Sequence, residues 1–514
     1  MPLKYIYYSV RIFRHLKDVS MKLFKAVVVV SIPLFLLSAC NDNDSNVTVA
    51  DVTLSAKIAE LSLTGDPTTN RSLPLISSDK AQLGMKLFYT KGLGGDKDSA
   101  CVTCHHPTLG GGDNLSLSIG AEAVQPDLLG PGRLHLPTGT SYDGGPTVPR
   151  NAPTTFNVGL WDEVLFHDGR VESLDKIPNV NGAGAIRTPD SINISTADAD
   201  AGANLAVAQS RFPVTSPEEM RGHSYAVGSN AVLRTALEER LKGTSIDPAD
   251  SLPTNTWQTE FDAVYGASST ISYALIADAI GEYERSQVFI NTPWKSYVEG
   301  DTNAISHQAK LGALLFFRSQ SEGGAGCASC HEGDFFTDEG FHVVAMPQVG
   351  RGKGDGADGS DDFGRFRETA NEQDRYAFRT PSLINTEVYG PWGHAGGYTS
   401  LHAVVRHHSN PQAAIDNYDV NQLESSVQAS KMLQNTQLAM NKLQANRLAQ
   451  NISPILTDSD LTEAQISQLV SFLQTLTDPC VKDRSCLAPW IPDGTDTNPD
   501  SLRLEAVDVN GATL

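Results

Sequence analysis

Residues 326–342 read GCASCHEGDFFTDEGFH and set Cys327, Cys330 and His331 in the spacing C-x-x-C-H. That spacing is the attachment signature of a c-type haem. Two thiols one turn apart add to the two haem vinyl groups, and the adjacent imidazole then reaches the iron from the proximal side. The signature recurs upstream at Cys101, Cys104 and His105, in CVTCH. C-x-x-C alone also serves zinc sites and thiol redox pairs. A tetrahedral zinc site needs a fourth ligand for each Cys-Cys-His set, and none stands at conventional spacing nearby. Two complete copies therefore read as two covalent haems.

The stretches ahead of the motifs repeat as well: SSDKAQLGMKLFYTKGL before the first and SHQAKLGALLFFRSQ before the second. LG-x-x-LF followed by C-x-x-C-H, twice, is an internal repeat. A helix starting near Ser78 puts Leu83, Leu87 and Phe88 on one face, and Leu311, Leu315 and Phe316 are their counterparts. The fold class that follows is mainly α, with two cytochrome c-like haem domains over residues 78–295 and 296–479 and long loop insertions. The length of 514 residues suits two or three domains, and 40% hydrophobic with 19% charged residues is ordinary for a folded protein. Ala121–Arg150 and Pro178–Arg211, rich in Gly, Pro, Asn, Asp and Ala, read as surface insertions. Gly350–Asp362 (GRGKGDGADGSDD) does not match the spacing of an EF-hand and reads as a solvated, mobile loop. Ile271–Val288 is a helix closing the first domain. Ile466, Leu469, Val470, Leu473 and Leu476 mark an amphipathic helix, with Asp460 and Glu463 as a capping-box-like start, expected to pack on the second domain.

The N-terminal segment 1–40 reads as an export signal whose true start is Met21. MKLFKAVVVVSIPLFLLSAC has a short basic region, an apolar run of about a dozen residues, too short to span a bilayer comfortably, and small residues before Cys40. Leu37-Ser38-Ala39-Cys40 resembles a lipobox, which makes Cys40 the lipidated N-terminus and places the protein in the periplasm, anchored to the outer membrane. Residues 41–77, rich in Asn, Asp, Ser and Thr, read as a flexible tether. Export suits both haem attachment and a disulfide between Cys480 and Cys486 at the start of the tail 480–514; two free thiols are the alternative. Loss of residues 1–39, with six Lys or Arg and one Asp, takes the net charge from −21 to −26. Such a chain does not bind nucleic acid or anionic lipid by charge, and touches membrane only through its lipid. A basic electron-donor protein is a natural partner.

The chain resembles the bacterial dihaem cytochrome c peroxidases and their MauG-like relatives. The stretches that carry the resemblance run from about Ser78 to Pro479: LGMKLFYTKGLGGDKDSACVTCHHP, RNAPTTFN, FHDGR, SPEEM, ALIADAIGEYERSQVFINTPWKSYVEGDTNAIS, LGALLFF, CASCH, FRTPSLIN and GHAGGYTSLHAVVRHH. The resemblance implies an open haem in the first domain, with His105 as proximal ligand, and a closed electron-transfer haem in the second, with His331. It gives Glu219, in Ser216-Pro217-Glu218-Glu219-Met220, the role of catalytic acid–base group. Read without the resemblance, Glu218 and Glu219 are an acidic pair at a helix N-terminus. The family often has a distal histidine directly after Ser-Ile-Gly; here Ser118-Ile119-Gly120 is followed by Ala121, as in the MauG-like variants, and His135 in the following insertion reads as a surface-loop histidine, with substitution as that ligand the alternative. His408 falls at the distal ligand position of the second haem, with His407 and then Met346 behind it. His394 matches a histidine near the second haem. Asn151, with the carbonyls of Tyr389 and Pro391, matches an interdomain calcium site. Where the family has tryptophan between the haems this chain has His167, in Phe166-His167-Asp168-Gly169-Arg170, with Trp161 close by.

The implied activity is reduction of hydrogen peroxide to water with electrons from a small c-type cytochrome or cupredoxin. A MauG-like oxidase acting on a protein or organic substrate is the second reading, favoured by Ala121, and a pure electron-transfer protein the third. A homodimer is an open option.

Overall fold

The computed structural model describes residues 48–225, 228–450 and 453–514. Cys40 and the signal segment lie outside the described residues. Thr48 forms a capping box for α1 (Val49–Glu60): its hydroxyl accepts from the Asp51 N–H at 3.3 Å, and the Asp51 carboxylate accepts from the Thr48 N–H at 2.8 Å. Ala50 and Leu54 are buried, and Asp51 takes an ion pair from Lys310 at 2.7 Å and a hydrogen bond from the Tyr297 hydroxyl at 2.9 Å. From residue 48 on, the expected flexible tether is thus a docked helix and a packed strap. Its polar composition concealed one apolar face and one anion matched to a buried lysine.

The repeated LG-x-x-LF stretches form α2 (Asp79–Tyr89) and, after α3 (Tyr273–Arg285), α4 (His307–Phe317). Ser78 and Ser306 cap them, each hydroxyl accepting from the N–H three residues on. Gly84 and Gly312 explain the glycine in the repeat. A methyl added at Gly84 would overlap the carbonyl oxygen of Ala279 on α3, and one at Gly312 would overlap that of Gln468 on the C-terminal helix. Each haem half is therefore a helix pair brought to backbone contact. That C-terminal helix, α6 (Glu463–Gln474), follows α5 (Leu401–Ser409). Its capping box is Thr462 with Gln465, not Asp460 with Glu463, because Asp460 instead accepts from the Asn410 amide at 2.8 Å.

Two apolar cores result. One gathers α2, α3, Trp257 and Phe261; the other gathers α1, α4, α6, Trp294 and Phe336. The chain ends cross over. α1 packs in the second core, while Val481, Leu487, Ile491, Leu504 and Ala506 pack in the first. Cys480 and Cys486 are joined as a disulfide, and the tail it leads into lies on the first half rather than the second. Tyr283 donates to the Trp490 carbonyl at 2.8 Å, and Thr90 and Trp257 both donate to Asp500, at 2.6 and 3.0 Å.

Strands are few. β1 (Val164–Leu165), β2 (Val171–Ser173) and β3 (Ile186–Arg187) form an antiparallel sheet in that order, pairing Leu165 with Val171 and Ser173 with Ile186. The β1–β2 turn carries FHDGR. β4 (Phe341–His342) pairs antiparallel with β5 (Phe378–Arg379). The insertions are folded rather than superficial. Ile186, Ala201, Leu205 and Ala208 build a cluster of their own with Trp161 and Val171. The Arg133 guanidinium is buried and donates to the carbonyls of Ile119, Gly120 and Leu128. Among the described residues no helix is long and apolar enough to cross a membrane.

Candidate haem sites

Each C-x-x-C-H motif follows its glycine-bearing helix as a tight turn, Cys101–Thr103 after α2 and Cys327–Ser329 after α4. The four motif cysteines are free, and burial raises the Cys101 thiol and pushes Cys104 and Cys327 up to about 12. Both motif histidines donate through Nδ1 to a carbonyl just downstream: His105 to Gly111 at 3.1 Å and His331 to Phe336 at 3.1 Å. That bond fixes the tautomer and leaves Nε2 bare to meet a metal. Burial lowers the pKa of both imidazoles, His331 to about 4, with His408 adding to the effect. Two free thiols, a neutral imidazole of set tautomer and a largely apolar cavity form a donor set that fits a covalent haem, twice.

The two cavities differ on the side facing the histidine. The first holds Cys101, Cys104 and His105 together with Glu219, Arg170, Glu284 and Lys353. Glu219 comes from the turn Pro217–Arg221 and lies 3.9 Å from the Arg170 guanidinium. Burial raises its pKa, against the pull of Arg170 and Lys353. The Ser-Ile-Gly segment is built onto that turn. Ala121 donates its N–H to the Glu218 carbonyl at 3.1 Å, and only a glycine at 120 clears the backbone of Glu218 and Glu219. Ala121 is buried and brings no imidazole. His135 is buried too, contrary to a surface-loop reading, and lies outside the cavity: its ring nitrogens face the Leu136 carbonyl at 3.0 Å and the Ser141 hydroxyl at 3.2 Å.

In the second cavity His331 is accompanied by His408, Met346 and His394. His408, on α5, donates from Nδ1 to the Val404 carbonyl at 2.9 Å, so its Nε2 is also bare. His407 is unsuited to iron. It accepts from the Tyr398 hydroxyl at Nδ1 and donates to the Val344 carbonyl from Nε2, both at 2.8 Å. His394 stacks on Phe378 at 3.7 Å, and its Nε2 meets Gln348 at 3.2 Å.

Residues 78–303 match the family model described as di-haem cytochrome c peroxidase. The methylamine utilization protein MauG of Methylorubrum extorquens is 27% identical over 336 residues, 65% of this chain and 69% of that protein. Cytochrome c551 peroxidase of Nitrosomonas europaea is 24% identical over 329 residues, 64% and 72% of the two chains. The diheme peroxidase BthA from Burkholderia thailandensis E264 superposes with a TM-score of 0.51 at 18% identity, covering 85% of this chain and 92% of that one. A MauG-like protein associated with microbial copper homeostasis gives 0.51 at 20%, covering 81% and 96%. Over residues 78–303 the chain is similar to the di-haem cytochrome c peroxidases, and its relatives include both these and MauG. It is an oxidoreductase of the cytochrome c peroxidase type and carries two c-type haems.

Asn151, Trp161, His167 and Arg379 line both cavities and so form the wall between them. His167 donates from Nε2 to the Asn151 carbonyl at 3.0 Å, and burial with Arg150 and Arg379 nearby lowers its pKa to about 3. Arg379 lies over the Trp161 ring at 3.6 Å. Asn151 donates its side-chain amide to the Leu115 and Ser116 carbonyls at 2.9 and 3.3 Å, and shares the second cavity's wall with Tyr389 and Pro391.

Sequence reasoning missed several groups. Arg150 ties Asp168 to Asp362 across the two halves, at 2.5 and 2.6 Å, and depresses the Asp362 carboxyl to about 2. Glu284, on α3, accepts from Gln209 at 2.5 Å and is pushed up to about 8 by burial. Lys353 enters the first cavity from the glycine-rich loop. Their positions in sequence give no spacing signal; only the buried meeting of distant segments reveals them.

Proposed function

We propose that the protein reduces hydrogen peroxide to water with electrons from a small c-type cytochrome or cupredoxin. Two electrons and two protons convert one peroxide to two waters. The observation that carries this reading is the asymmetry of the cavities: Glu219 lines the His105 cavity, whose other imidazole, His167, sits in the shared wall with Nε2 given to the Asn151 carbonyl, whereas His408 joins His331 in the other. A haem bound at each site supplies an iron that exchanges electrons and, where one face is open, binds peroxide. Glu219 takes a proton from the near oxygen of peroxide and returns one to the departing oxygen. Its raised pKa brings it closer to the working pH. Arg170 holds the carboxylate in place. Nδ1 of His105 keeps its proton on Gly111, so the other nitrogen faces the cavity without one. His331 and His408, each with Nε2 bare, would both hold a haem bound at the second site, which would suit that site to passing electrons through the shared wall. The lipobox-like segment Leu37-Ser38-Ala39-Cys40 supports an exported, periplasmic chain lipid-anchored at Cys40 to the outer membrane, and the resemblance supports a calcium ion near Asn151; a homodimer is a further option.

A MauG-like oxidase acting on a protein or organic substrate is the second reading. The buried Ala121 favours it, because the first site then needs no ligand to leave before it reacts.

The test is turnover of a reduced c-type cytochrome on addition of peroxide, with Glu219→Gln beside the unchanged protein. We expect a loss of about 10²- to 10⁴-fold with unchanged haem spectra. Equal turnover would remove Glu219 from the reaction. Negligible turnover of the unchanged protein with several donors would favour the oxidase.

A further inference from the structure

The loop expected to be solvated and mobile is a built structure that crosses from the second half to the first. Lys353 and Asp361 are tied by backbone at 2.8 Å, Asp355 and Asp361 form a bridge, and the Asp361 carboxylate accepts from the Tyr376 hydroxyl at 2.7 Å. Arg351 pairs with Asp143 at 3.1 Å, and Asp362 with Arg150 at 2.6 Å. These anchors on both sides carry Lys353 into the cavity that holds His105, Glu219 and Arg170. Arg170, Arg150, Asp168 and Asp362 act on the ammonium through space, with no hydrogen bond among those influences, and burial with the two arginines brings its pKa down to about 8. It stays largely charged at neutral pH. A half-buried ammonium with no direct partner among the described residues, beside a second cation, attracts an anion.

We propose that Lys353, with Arg170, makes the side of the first cavity facing His105 a binding site for small anions, a negatively charged oxygen of the substrate among them. The proposal rests on the reading that the first haem has an open face. It goes beyond that reading by giving the C-terminal half a binding residue in the N-terminal site. Glu219 handles protons; Lys353 supplies charge, and a chain lacking it would keep the proton device while losing anion affinity.

The experiment is equilibrium binding to the ferric holoprotein, followed by absorption, of fluoride as the anionic probe and imidazole as the neutral one. Lys353→Gln is compared with the unchanged chain and with Lys353→Arg, which keeps the charge. Loss of one charge-assisted contact weakens fluoride about tenfold or more. Imidazole affinity should hold within about twofold, and Lys353→Arg should regain most of the fluoride affinity. If fluoride and imidazole change together, or neither changes, the proposal is wrong. A shift in the first haem's midpoint potential with unchanged probe affinities would assign Lys353 to a haem carboxylate instead. If the unchanged protein binds neither probe, the open-face reading itself falls, and this one with it. Thermal melts and the spectrum of the second haem establish that the variants fold.

Discussion

His105 and His331 are held by the same device, a ring N–H given to a carbonyl six and five residues downstream, yet Glu219 joins the first in its cavity and His408 the second. The attachment side is local in sequence. Motif, histidine and preceding helix lie within about thirty residues in each half, so duplication carries them as one piece. The far side is assembled from remote segments, and there the halves diverged: FHDGR, SPEEM and the 350–362 loop converge on one cavity, and α5 closes the other. Division of labour between two equivalent attachment sites is thus set by what the rest of the chain brings to the open face.

The shared part of the comparison breaks at the glycines. Gly84→Ala and Gly312→Ala each force a methyl into a partner helix's carbonyl, where neither backbone can yield without separating the pair. We expect each to cost about 3 kcal/mol or more, the upper end of overpacking penalties. The damage should stay in its own half. Hydrogen exchange should rise around Trp257 and Phe261 in the first variant and around Trp294 and Phe472 in the second, the cores those residues occupy. Equal loss in both halves from either substitution would show that the cores do not open separately.

That contrast also explains what the sequence made legible. The two haem motifs, the helix pair behind each and the serine at position 78 are governed by spacing and capping, which a single chain displays directly. Arg150, Glu284 and Lys353 act through burial against segments far away in sequence, and nothing in their neighbours announces it. Residues 48–60 misled for the opposite reason: a polar composition suggested a tether, while Leu54 and Asp51 had partners some 250 residues downstream and Thr48 capped the helix locally. The wall residue Trp161 was visible only as a tryptophan near FHDGR, and its place over Arg379 depends on the β4–β5 pairing.

Next in size is a substitution that makes the second cavity resemble the first. His408→Ala removes the imidazole that shares its cavity with His331, and the second haem should lose its low-spin signature and gain affinity for imidazole. His408→Met keeps a ligand but exchanges nitrogen for a thioether, which raises the reduction potential of that haem. Redox titration of both variants checks this. An unchanged second-haem spectrum in His408→Ala would pass the ligand role to Met346, which lines the same cavity.

A smaller effect separates the halves through the tail. The Cys480–Cys486 bridge closes a loop of only six residues' separation, so on the chain-entropy model its removal in Cys480→Ser with Cys486→Ser costs about 2 kcal/mol. Because the tail lies in the first core through Val481, Leu487 and Ile491, the loss should appear as faster hydrogen exchange around Tyr283 and Trp257. Exchange around Phe472 should hold.

The finest adjustment moves the pH at which the first site works. Glu219 must be ionised to accept a proton from peroxide, so turnover should climb with pH as that carboxyl titrates. Burial raises its pKa and the Arg170 cation, 3.9 Å away, lowers it. Arg170→Gln deletes the lowering influence, so the carboxyl titrates at higher pH and the acid limb of the profile moves upward, while the plateau above it falls by whatever Arg170 contributes to holding the carboxylate in place. Glu219→Asp would shift the geometry as well as the titration and is the poorer probe. A limb displaced downward in Arg170→Gln would mean that Arg170 acts chiefly through Asp168, its partner at 3.6 Å, and that the carboxyl sensed in the profile is not Glu219. The second site supplies the control, since the carboxylates that line its cavity, Glu60 and Glu322, are exposed and paired with Lys57, and its redox behaviour should be indifferent to the same substitution.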